Sequence, residues 1–498
     1  NQYNSHGRHL VVLPKAHLDK PLKNVCNAME CHMGFPLTFL KMDDVIKKNQ
    51  VSYEVLPKDG VLIVTYTLFG LHSDKILSWL NPNKTCFIAF DESHHLKDSK
   101  TNSAIAAKKL LIIMKYARAL FSSGTGATTV TELHIVGERL GLWTHDNFKQ
   151  VAKTLNGRTF FMYLAIQMTR QGSYISRMLS KEHTVERITS TIKMTPTAIQ
   201  LYNDTATLMS ETMALLRQKI ATYENKKHAT SRLYGMSLAF FREMLLLIRM
   251  DHITEQTNKF VQDGKAVVIS IQSTGEAYHD RDIQGIANTV INFLDSMVEK
   301  HPEEPIWPEL IQKWKTIDLP HQSVIDILMD NFGGEQNVAD LTARQKRWFR
   351  DENMQWVIKT RSATQVLKER DNFQVDTKPI AFISKASNEG ICLHAEYENS
   401  KQRVYIKGQK YWTATEQLQS EARVARTGQT STPIIFDIVV DDICELTIDS
   451  RQNSSSRNLS SITQAGQNIL AIGDQLADAH SQRGYFAITR LLTELSDP

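Results

Sequence analysis

The stretch from Phe87 to His95 constrains the fold of this chain more than any other, because four apolar residues run directly into two acids, a serine and two histidines. The apolar run predicts a short strand of a parallel sheet, buried on both faces, with the acids at its carboxyl end. There Asp91 can hold a phosphate-bound magnesium ion through water. Glu92 can orient and deprotonate an attacking water. For an isolated Asp-Glu pair, the commoner alternative is a strand that ends in a solvated acidic turn.

Length and composition favour a globular protein of two large domains or about three smaller ones. The chain has 498 residues, of which 42% are hydrophobic and 22% are charged, an ordinary balance for a soluble fold. Its formal net charge of +4 permits nucleic-acid binding without arguing for it. No apolar run approaches the ~18 residues that a membrane span needs, and no signal peptide is visible.

The cysteines point to a reducing, intracellular compartment, because they are few, odd in number and scattered. Cys26 and Cys31 with His32 look like half of a zinc site, but a second half is missing. Structural thiols are therefore the favoured interpretation.

Short apolar strands alternate with helices over residues 1–150, which predicts a parallel α/β sheet. One helix is expected from about His17 to Met33, and another over Lys100–Lys115, where apolar residues recur at helical spacing. The predicted strands are Leu10–Leu13, Pro36–Leu40, Gly60–Thr65, Cys86–Phe90 and Ala119–Ser122.

The second half of the chain returns to this pattern after a helical interval. Residues from about 155 to 260 carry periodic apolar positions and no convincing strand, so we expect only helices there. Strands resume at Ala266–Ile271, Ile380–Ser384, Arg403–Ile406 and Ile434–Val440. Between the first two of these strands, about 283–365 is predicted to be helical. A Ser- and Asn-rich loop over Arg451–Gln464 and a helix over Ile469–Leu492 are expected at the end.

A second polar group, Ser123-Gly124-Thr125, ends the strand that follows the acidic one. In a parallel sheet the two strand ends meet at one edge, so these small hydroxyl residues can hydrogen-bond the acids and relay their state. A plain turn is the alternative, and it is the commoner outcome for such a sequence taken alone.

A third group lies in the segment from Tyr411 to Gln429. Thr413 and Glu416 have the spacing of a capping box, which predicts the start of a helix. The side chains of Gln419, Arg423 and Arg426 are then expected on one face of that helix. Such a stripe suits a triphosphate, because guanidinium groups pair bidentately with phosphate and neutralise transition-state charge. An exposed basic helix is the alternative.

With these groups in place, the chain resembles the superfamily 2 helicases, and most closely the Strawberry Notch family. The matching segments occur in the family's order from about residue 8 to residue 440, and each is weak or moderate alone. They are Val11–Lys15 (motif Ia), Gly60–Tyr66 (between Ia and II), Asp91–His94 (the DExH motif II), Ser123–Thr125 (motif III, continued by Glu138–Trp143), Ile271–Ala277 (motif IV), Ser384–Ala395 (motif V) and Gln419–Arg426 (motif VI).

The resemblance implies two RecA-like parallel-sheet lobes with helical insertions, which bind ATP and Mg²⁺, hydrolyse ATP in the cleft between them and move on nucleic acid. Lobe one is expected over residues 1–150, a helical connecting region over 151–236, lobe two over 237–445 with a helical insertion at about 283–365, and a tail over 446–498. DNA is favoured over RNA by family analogy. No membrane is expected, and the helical insertions suit protein partners.

The resemblance also assigns roles to individual residues. The expected catalytic residues are Asp91, Glu92, His94, Gln419, Arg423 and Arg426, with Asp91 as the magnesium residue. The expected coupling residues are Ser123, Thr125, Glu389 and Gly390. The expected nucleic-acid contacts are Pro14, Lys15, Thr65, Tyr66, Gln272 and Ser273.

Three departures from the family pattern qualify these roles. Ala422 stands where motif VI usually has Gly, and Gly124 stands where motif III usually has Ala. The third is larger, because no Gly-x-x-x-x-Gly-Lys-Ser/Thr phosphate loop occurs in the 498 residues. In this family the loop falls just upstream of the motif Ia strand. We therefore expect the sequence to begin after it, and these residues alone to be an inactive fragment that binds ATP poorly.

Two rival functions stay open at this point. One is a helicase-like scaffold that regulates transcription or chromatin without turnover, as animal family members suggest. The other is a phage or plasmid antirestriction factor, which keeps the ATPase and changes its purpose. The cytoplasm of a bacterium or of an infected host cell is the favoured compartment, because a bacterial or phage member is the favoured source. If the source is a eukaryote, the expected compartment is the nucleus.

Overall fold

The architecture is taken from a computed structural model. It describes residues 8–14, 39–41, 46–47, 50–51, 60–80, 86–123, 127, 130–144, 147–154, 164–165, 168–169, 171–175, 185–220, 226–272, 285–302, 304–342, 344–351, 353–385, 391–426 and 428–441. These residues fall into two compact units, one before position 179 and one after it. No helix in these ranges combines the length and the apolar character that a bilayer crossing requires.

The first unit is built on a sheet of five parallel strands in the order β2-β5-β1-β6-β7. Its strands are β1 (Arg8–Leu13), β2 (Phe39–Lys41), β5 (Gly60–Thr65), β6 (Phe87–Phe90) and β7 (Arg118–Phe121). A separate antiparallel pair consists of β3 (Ile46–Lys47) and β4 (Gln50–Val51). The parallel arrangement confirms the α/β prediction for this part of the chain.

The first unit also contains helices, and those that follow β5 and β6 pack on its sheet. The described helices are α1 (Tyr66–Leu80, kinked at His72), α2 (Asn102–Ile113), α3 (His134–Arg139) and α4 (Phe148–Thr154). Leu10, Ile88 and Phe90 of the sheet form one core with Phe69 of α1 and Ala107 of α2. Burial of this apolar surface is the main stabilising contribution to the unit.

The register of the strands brings their carboxyl ends to one edge. Leu13 lies opposite Thr65, Val12 opposite Phe90, and Phe90 opposite Phe121. The residue that follows each strand therefore emerges at this edge, as the doubly wound arrangement requires. These following residues are Pro14, Tyr66, Asp91 and Ser122.

The second unit is built on six parallel strands in the order β10-β13-β9-β14-β15-β8. Their bounds are β8 (Glu186–Ile192), β9 (Ala266–Ser270), β10 (Val338–Asp340), β13 (Ile380–Ile383), β14 (Arg403–Lys407) and β15 (Ile434–Val440). The helices are α5 (Pro196–Ile220), α6 (Lys226–Gln262), α7 (Asn288–Lys300), α8 (Ile306–Thr316), α9 (Val324–Asn331), α10 (Ala363–Gln374) and α11 (Ala414–Glu421).

The central strand β9 explains why this sheet carries helices on both faces. All five of its residues are buried. Val267 and Ile269 join a core with Phe240 of α6 and other helical residues, whereas Val268 joins a second core with Phe373 of α10. A parallel strand buried on both faces reads as an unbroken apolar run, and this run made β9 predictable.

The expectation that residues 155–260 hold only helices is wrong, because β8 is a strand. It pairs with β15 from Glu186↔Ile434 to Ile192↔Val440. The strand lies at the edge of the sheet, so half of its side chains face solvent and only isoleucines supply apolar burial. Its sequence therefore lacks the apolar run that marks an interior strand.

The helical prediction for 283–365 is also wrong in its last third. Helices α7, α8 and α9 fill its first part, but β10 and an antiparallel hairpin follow. The hairpin consists of β11 (Lys346–Arg350) and β12 (Trp356–Thr360), whose aromatic and β-branched residues favour strands.

Buried ion pairs fix the base of this hairpin. Arg344, just before β11, pairs with Asp326 of α9 at 2.6 Å and with Asp340 of β10 at 2.8 Å. Arg361, just after β12, reaches the same Asp340 carboxylate at 2.8 Å. Burial raises the pKa of Asp340, but Arg344 and Arg361 outweigh it and hold that pKa below its ordinary value. Both ends of the hairpin are thereby tied to one carboxylate.

Several predictions fall on parts of the chain that the structure does not describe. The helix expected from His17 to Met33 lies there, as do the terminal loop and the terminal helix. The other predicted strands and the helix over Lys100–Lys115 are confirmed, with ends shifted by no more than two residues, apart from Pro36–Leu40, of which the structure describes only residues 39–40.

Candidate functional site

The acidic residues of the first unit lie at the carboxyl edge of its sheet, where backbone hydrogen bonds extend the strand pairing past β6. Asp91 N–H donates to the Val12 carbonyl at 2.8 Å, and Ser122 N–H donates to the Phe90 carbonyl at 3.0 Å. The Ser122 hydroxyl donates to Asp91 Oδ1 at 2.9 Å. Asp91 is thus held by the ends of both neighbouring strands.

Glu92 adopts a left-handed backbone conformation, with φ 50° and ψ 52°. This region costs free energy for a residue with a side chain, and such residues cluster at functional sites. Ser93 N–H donates to the Ser122 carbonyl at 2.8 Å and holds the turn in place. The turn directs the chain from the strand into a short 3₁₀ helix, Ser93–Leu96.

His94 joins the acidic residue to the neighbouring strand end. Its Nδ1 lies 3.2 Å from Glu92 Oε2 and 3.3 Å from the Ser123 hydroxyl. The side chains of His94 and Glu92 are 14% and 26% exposed, so both are partly buried at this edge. The structure therefore brings four predicted residues together: Asp91, Glu92, His94 and Ser123.

The donors present fit a magnesium ion that is shared with a nucleotide. The described residues contain no cluster of three or more His, Cys, Asp or Glu side chains that could hold a metal ion by themselves. Asp91 and the Ser122 hydroxyl present oxygen atoms only. Magnesium prefers oxygen ligands, keeps several waters and takes phosphate oxygens as well, so one carboxylate is a sufficient protein contribution.

Two further predicted residues adjoin this edge. Thr65 Oγ1 accepts a hydrogen bond from Leu68 N–H at 3.3 Å, which satisfies one free donor of the first turn of α1. The Tyr66 hydroxyl donates to the Asp91 carbonyl at 2.7 Å. Pro14 follows the end of β1, whereas Lys15 and Thr125 lie outside the described residues.

In the second unit, α11 begins as predicted and ends earlier than predicted. Thr413 is its N-cap and accepts from Glu416 N–H at 3.2 Å. The helix ends at Glu421, so Arg423 and Arg426 lie beyond it, and the expectation of one helical stripe is wrong. The N–H groups of Arg423 and Val424 bond back three residues instead of four, which tightens the chain into turns.

The residues of this segment still lie close together. Arg423 Nε donates to the Gln419 carbonyl, and its Nη1 donates to the Ile391 carbonyl, both at 3.1 Å. Arg426 is exposed, and its Nη1 contacts Cys392 Sγ at 2.5 Å. The segment after α11 therefore packs on the segment after β13. Of the predicted coupling residues there, Glu389 and Gly390 lie outside the described part of the chain.

A buried ion network anchors the end of α11 to the sheet. Lys407 of β14 lies 2.8 Å from Asp437 of β15 and 3.4 Å from Glu421, which also pairs with Arg187 at 2.8 Å. Burial opposes each charge, but Lys407 and Lys410 lower the pKa of Asp437 to about 2. Lys407 and Arg187 likewise lower the pKa of Glu421, and the two acids raise the pKa of Lys407. The network fixes the point at which the helix ends.

Gln272 follows β9 and contacts a helix that the sequence motifs did not include. Its Oε1 accepts from Arg242 Nη1 of α6 at 3.1 Å, and its backbone N–H donates to Gln409 Oε1 at 2.7 Å. Burial lowers the pKa of Arg242. Ser273 lies outside the described residues.

Sequence reasoning missed several residues of these sites. The sequence predicts Ser123 as a site residue and does not single out Ser122. It is the Ser122 hydroxyl, at the strand end, that contacts the Asp91 carboxylate. Glu421 lies inside the motif VI segment, but only the fold shows that it is buried against Lys407. Arg242 has no local signal, because it comes to Gln272 from a separate helix.

Two family models match parts of the chain. Residues 1–204 match a family model described as P-loop containing NTP hydrolase pore-1. Residues 323–461 match a model of the C-terminal domain on Strawberry notch homologue.

The similar proteins include strawberry notch homologues of mammals. Protein strawberry notch homolog 2 of Homo sapiens is 22% identical over 522 residues, covering 77% of this chain and 38% of the relative. Protein strawberry notch homolog 1 of Rattus norvegicus is 21% identical over 513 residues, covering 76% and 40%. This chain thus spans about two fifths of the length of these relatives. Among solved structures, the DUF1998 helicase MrfA bound to DNA has a TM-score of 0.43 and 10% identity, with 91% of this chain and 43% of that chain covered.

The parallel sheets, the acidic pair at a strand end and the first family model define the class of protein, which is a P-loop NTP hydrolase fold of the helicase-like kind. Within that class, the two family models and the strawberry notch relatives support a Strawberry Notch-like family of superfamily 2 helicases. The resemblance drawn from the seven sequence segments is confirmed.

The ion network around Lys407 gives a pH-dependent prediction for stability. Because the folded-state pKa values of Asp437 and Glu421 lie below their ordinary values, the network stabilises the unit above the ordinary carboxyl pKa and loses that effect as pH falls toward about 2. Replacing Lys407 with Met leaves both acids buried without that cation. We expect a loss of about 3–5 kcal/mol at pH 7, which shrinks on acidification.

Thermal unfolding of the wild type and Lys407→Met between pH 3 and pH 7 measures this effect. Lys359→Met is the matched control, because Lys359 forms an exposed pair with Glu335 at 3.0 Å and such pairs are worth about 0–1 kcal/mol. A Lys407→Met loss that stays constant over the whole pH range would contradict the assignment.

Proposed function

We propose that this protein is an ATP-dependent nucleic-acid helicase or translocase. The observation that carries the proposal is the acidic pair Asp91-Glu92, which sits at the carboxyl end of a parallel strand and is bonded to the next strand end through Ser122. Ligands of such sheets bind at this edge. Membership of a family of P-loop NTP hydrolases supports the same reaction.

In this proposal each residue of the first unit has a distinct role. Asp91 would hold a nucleotide-bound magnesium ion through water, which would supply charge stabilisation for the phosphate oxygens. Glu92 orients the attacking water and accepts its proton. His94 contacts both Glu92 and Ser123. It therefore couples the Glu92 carboxylate to the end of the neighbouring strand β7.

The arginines of the second unit are proposed to act on the same nucleotide. Arg426 is the stronger candidate for transition-state stabilisation, because its guanidinium is exposed. Arg423 donates to two backbone carbonyls, so it also holds the segment after α11 in shape. Gln419 lies in the last turn of α11, and its carbonyl accepts one of these bonds.

Nucleic acid is proposed to contact the residues that follow the strands of both sheets. These are Pro14, Lys15, Thr65, Tyr66, Gln272 and Ser273. Thr125, Glu389 and Gly390 are proposed to join Ser123 in coupling that contact to hydrolysis. We propose that the nucleic acid is DNA, by family analogy. We also propose that the protein acts inside the cell, because the reaction consumes ATP.

Steady-state ATP hydrolysis by the protein at its natural length, with and without single-stranded DNA or RNA, tests the proposal. We expect turnover that rises with DNA and rises less with RNA. Absence of ATP turnover with every nucleic acid would contradict the proposed helicase or translocase and would favour the non-catalytic scaffold. An antirestriction factor keeps the turnover and is distinguished by its biological effect.

Glu92→Gln is expected to bind ATP and to stall hydrolysis. The amide keeps the volume and the hydrogen bonding of the carboxylate, but it cannot accept the proton from the attacking water. Single-turnover hydrolysis, together with equilibrium binding of a fluorescent ATP analogue, separates the two steps.

Glu211→Gln is the matched control, since Glu211 forms an exposed pair with Lys313 at 3.4 Å on the second unit, outside the matching segments. The control should hydrolyse ATP at the wild-type rate. Near wild-type turnover by Glu92→Gln would show that Glu92 is not the base.

Arg426→Ala is expected to lower the catalytic rate by roughly 10³-fold or more. Nucleotide affinity should fall less, because the interaction is strongest in the reacting state. Arg426→Lys should not restore the rate, since lysine keeps the charge and loses the planar fork. The rate and KM of ATP hydrolysis, measured for each variant, check this expectation.

Arg217→Ala provides the control, because Arg217 is a partner of Tyr234 on the helices α5 and α6. DNA binding without ATP should barely change in either variant. If Arg426→Ala instead weakens DNA binding steeply and leaves ATP hydrolysis intact, Arg426 is a contact to the phosphate backbone.

A further inference from the structure

A continuous stack of three rings connects the start of α1 to the acidic turn. The rings of Tyr66 and His95 are stacked, with centroids 4.9 Å apart and planes 27° apart. The rings of His95 and His94 are stacked in the same way, at 4.7 Å and 27°. The last ring of the stack is the imidazole whose Nδ1 lies 3.2 Å from Glu92 Oε2.

Tyr66 also touches the acidic turn directly. It is buried, and its hydroxyl donates to the Asp91 carbonyl at 2.7 Å. Asp91 and Glu92 are therefore held from α1 by two routes: a hydrogen bond to the backbone between them, and the ring stack through His95 and His94. A phenylalanine at position 66 would fill the same core space and stack equally well, so the hydroxyl serves the acidic turn rather than the core.

The same residue begins the helix whose first turn faces the carboxyl edge of the sheet. Tyr66 is the first residue of α1, and Thr65 before it caps the first turn through Leu68 N–H. Free N–H groups of a helix start are suited to nucleic-acid phosphates. A ligand that shifts this turn must also shift the Tyr66 ring and its hydroxyl, because packed rings do not move independently.

We infer that Tyr66 and His95 are positioning residues that transmit nucleic-acid occupancy at the start of α1 to the conformation of Asp91 and Glu92. The inference rests on the proposed function and deepens it, because it names the residues through which nucleic acid stimulates hydrolysis. Glu92 stands in a left-handed conformation that costs free energy. A small displacement of the backbone that Tyr66 holds is therefore enough to change where the Glu92 carboxylate points.

The test compares Tyr66→Phe and His95→Ala with the wild type. Tyr66→Phe keeps the stack and removes the hydrogen bond to Asp91, whereas His95→Ala removes the middle ring of the stack. The measured quantity is the ratio of DNA-stimulated to unstimulated kcat for ATP hydrolysis. We expect Tyr66→Phe to lower this ratio roughly five-fold, the effect of losing one hydrogen bond of ordinary strength.

Tyr116→Phe is the control, because Tyr116 is 64% exposed on the same unit. Its stimulation ratio should equal that of the wild type. Retention of the full ratio by both Tyr66→Phe and His95→Ala, in a protein whose wild type is stimulated by DNA, would overturn the inference and leave the proposed function standing.

A second measurement does not depend on turnover. In protein with isotope-labelled histidine, saturating single-stranded DNA should shift the ring signals of His94 and His95, which are assigned through His94→Gln and His95→Gln. Tyr66→Phe should reduce the shift of both rings, whereas Tyr116→Phe should leave it unchanged. Absence of any shift in the wild type at saturating DNA would overturn the inference, even if ATP hydrolysis fails for another reason.

Discussion

The alignment of strand ends in the first unit is the constraint on which the candidate site depends. Parallel pairing of β1, β5, β6 and β7 brings residues from four separate parts of the sequence to one edge. The pairing continues one residue past β6, where Asp91 N–H bonds to the Val12 carbonyl. This bond fixes the backbone at the point where the chain turns sharply through Glu92. The strand ends thereby hold the backbone that carries both carboxylates, and fixed positioning of such groups is what the proposed hydrolysis requires.

In the second unit, buried ion pairs fix the position of the segment that follows α11. Glu421 ends α11 against Lys407 and Arg187, so the chain leaves the helix at a defined place, and the arginines that follow lie in turns. Breaking a buried pair is costly because the remaining charge has no partner. The network therefore specifies a single position for the segment after α11, and the contacts of Arg423 with the Gln419 and Ile391 carbonyls add to that specification.

The sequence is sufficient to predict the interior strands and the place of the acidic residues at the end of β6, and the reasons are physical. Strands such as β9 are buried on both faces, so their apolar runs are visible without a structure. The edge strand β8 and the hairpin β11–β12 lack this signature, and both were assigned to helices. The family resemblance located Asp91, Glu92 and Arg426, but the spacing of Gln419, Arg423 and Arg426 suggested a helix that ends at Glu421 instead. Contacts between distant segments, such as Ser122 with Asp91 and Arg242 with Gln272, have no local pattern and require the fold.

The central claim is that the turn at Asp91 and Glu92 is the hydrolytic centre of a nucleic-acid-stimulated ATPase. Its most direct test is a crystal structure of the protein at its natural length with ADP, aluminium fluoride, Mg²⁺ and a DNA oligonucleotide. The account predicts the metal beside Asp91 and the attacking water within about 2.6–3.2 Å of the Glu92 carboxylate. A metal fluoride bound away from the end of β6, with Glu92 out of reach of that water, would contradict it.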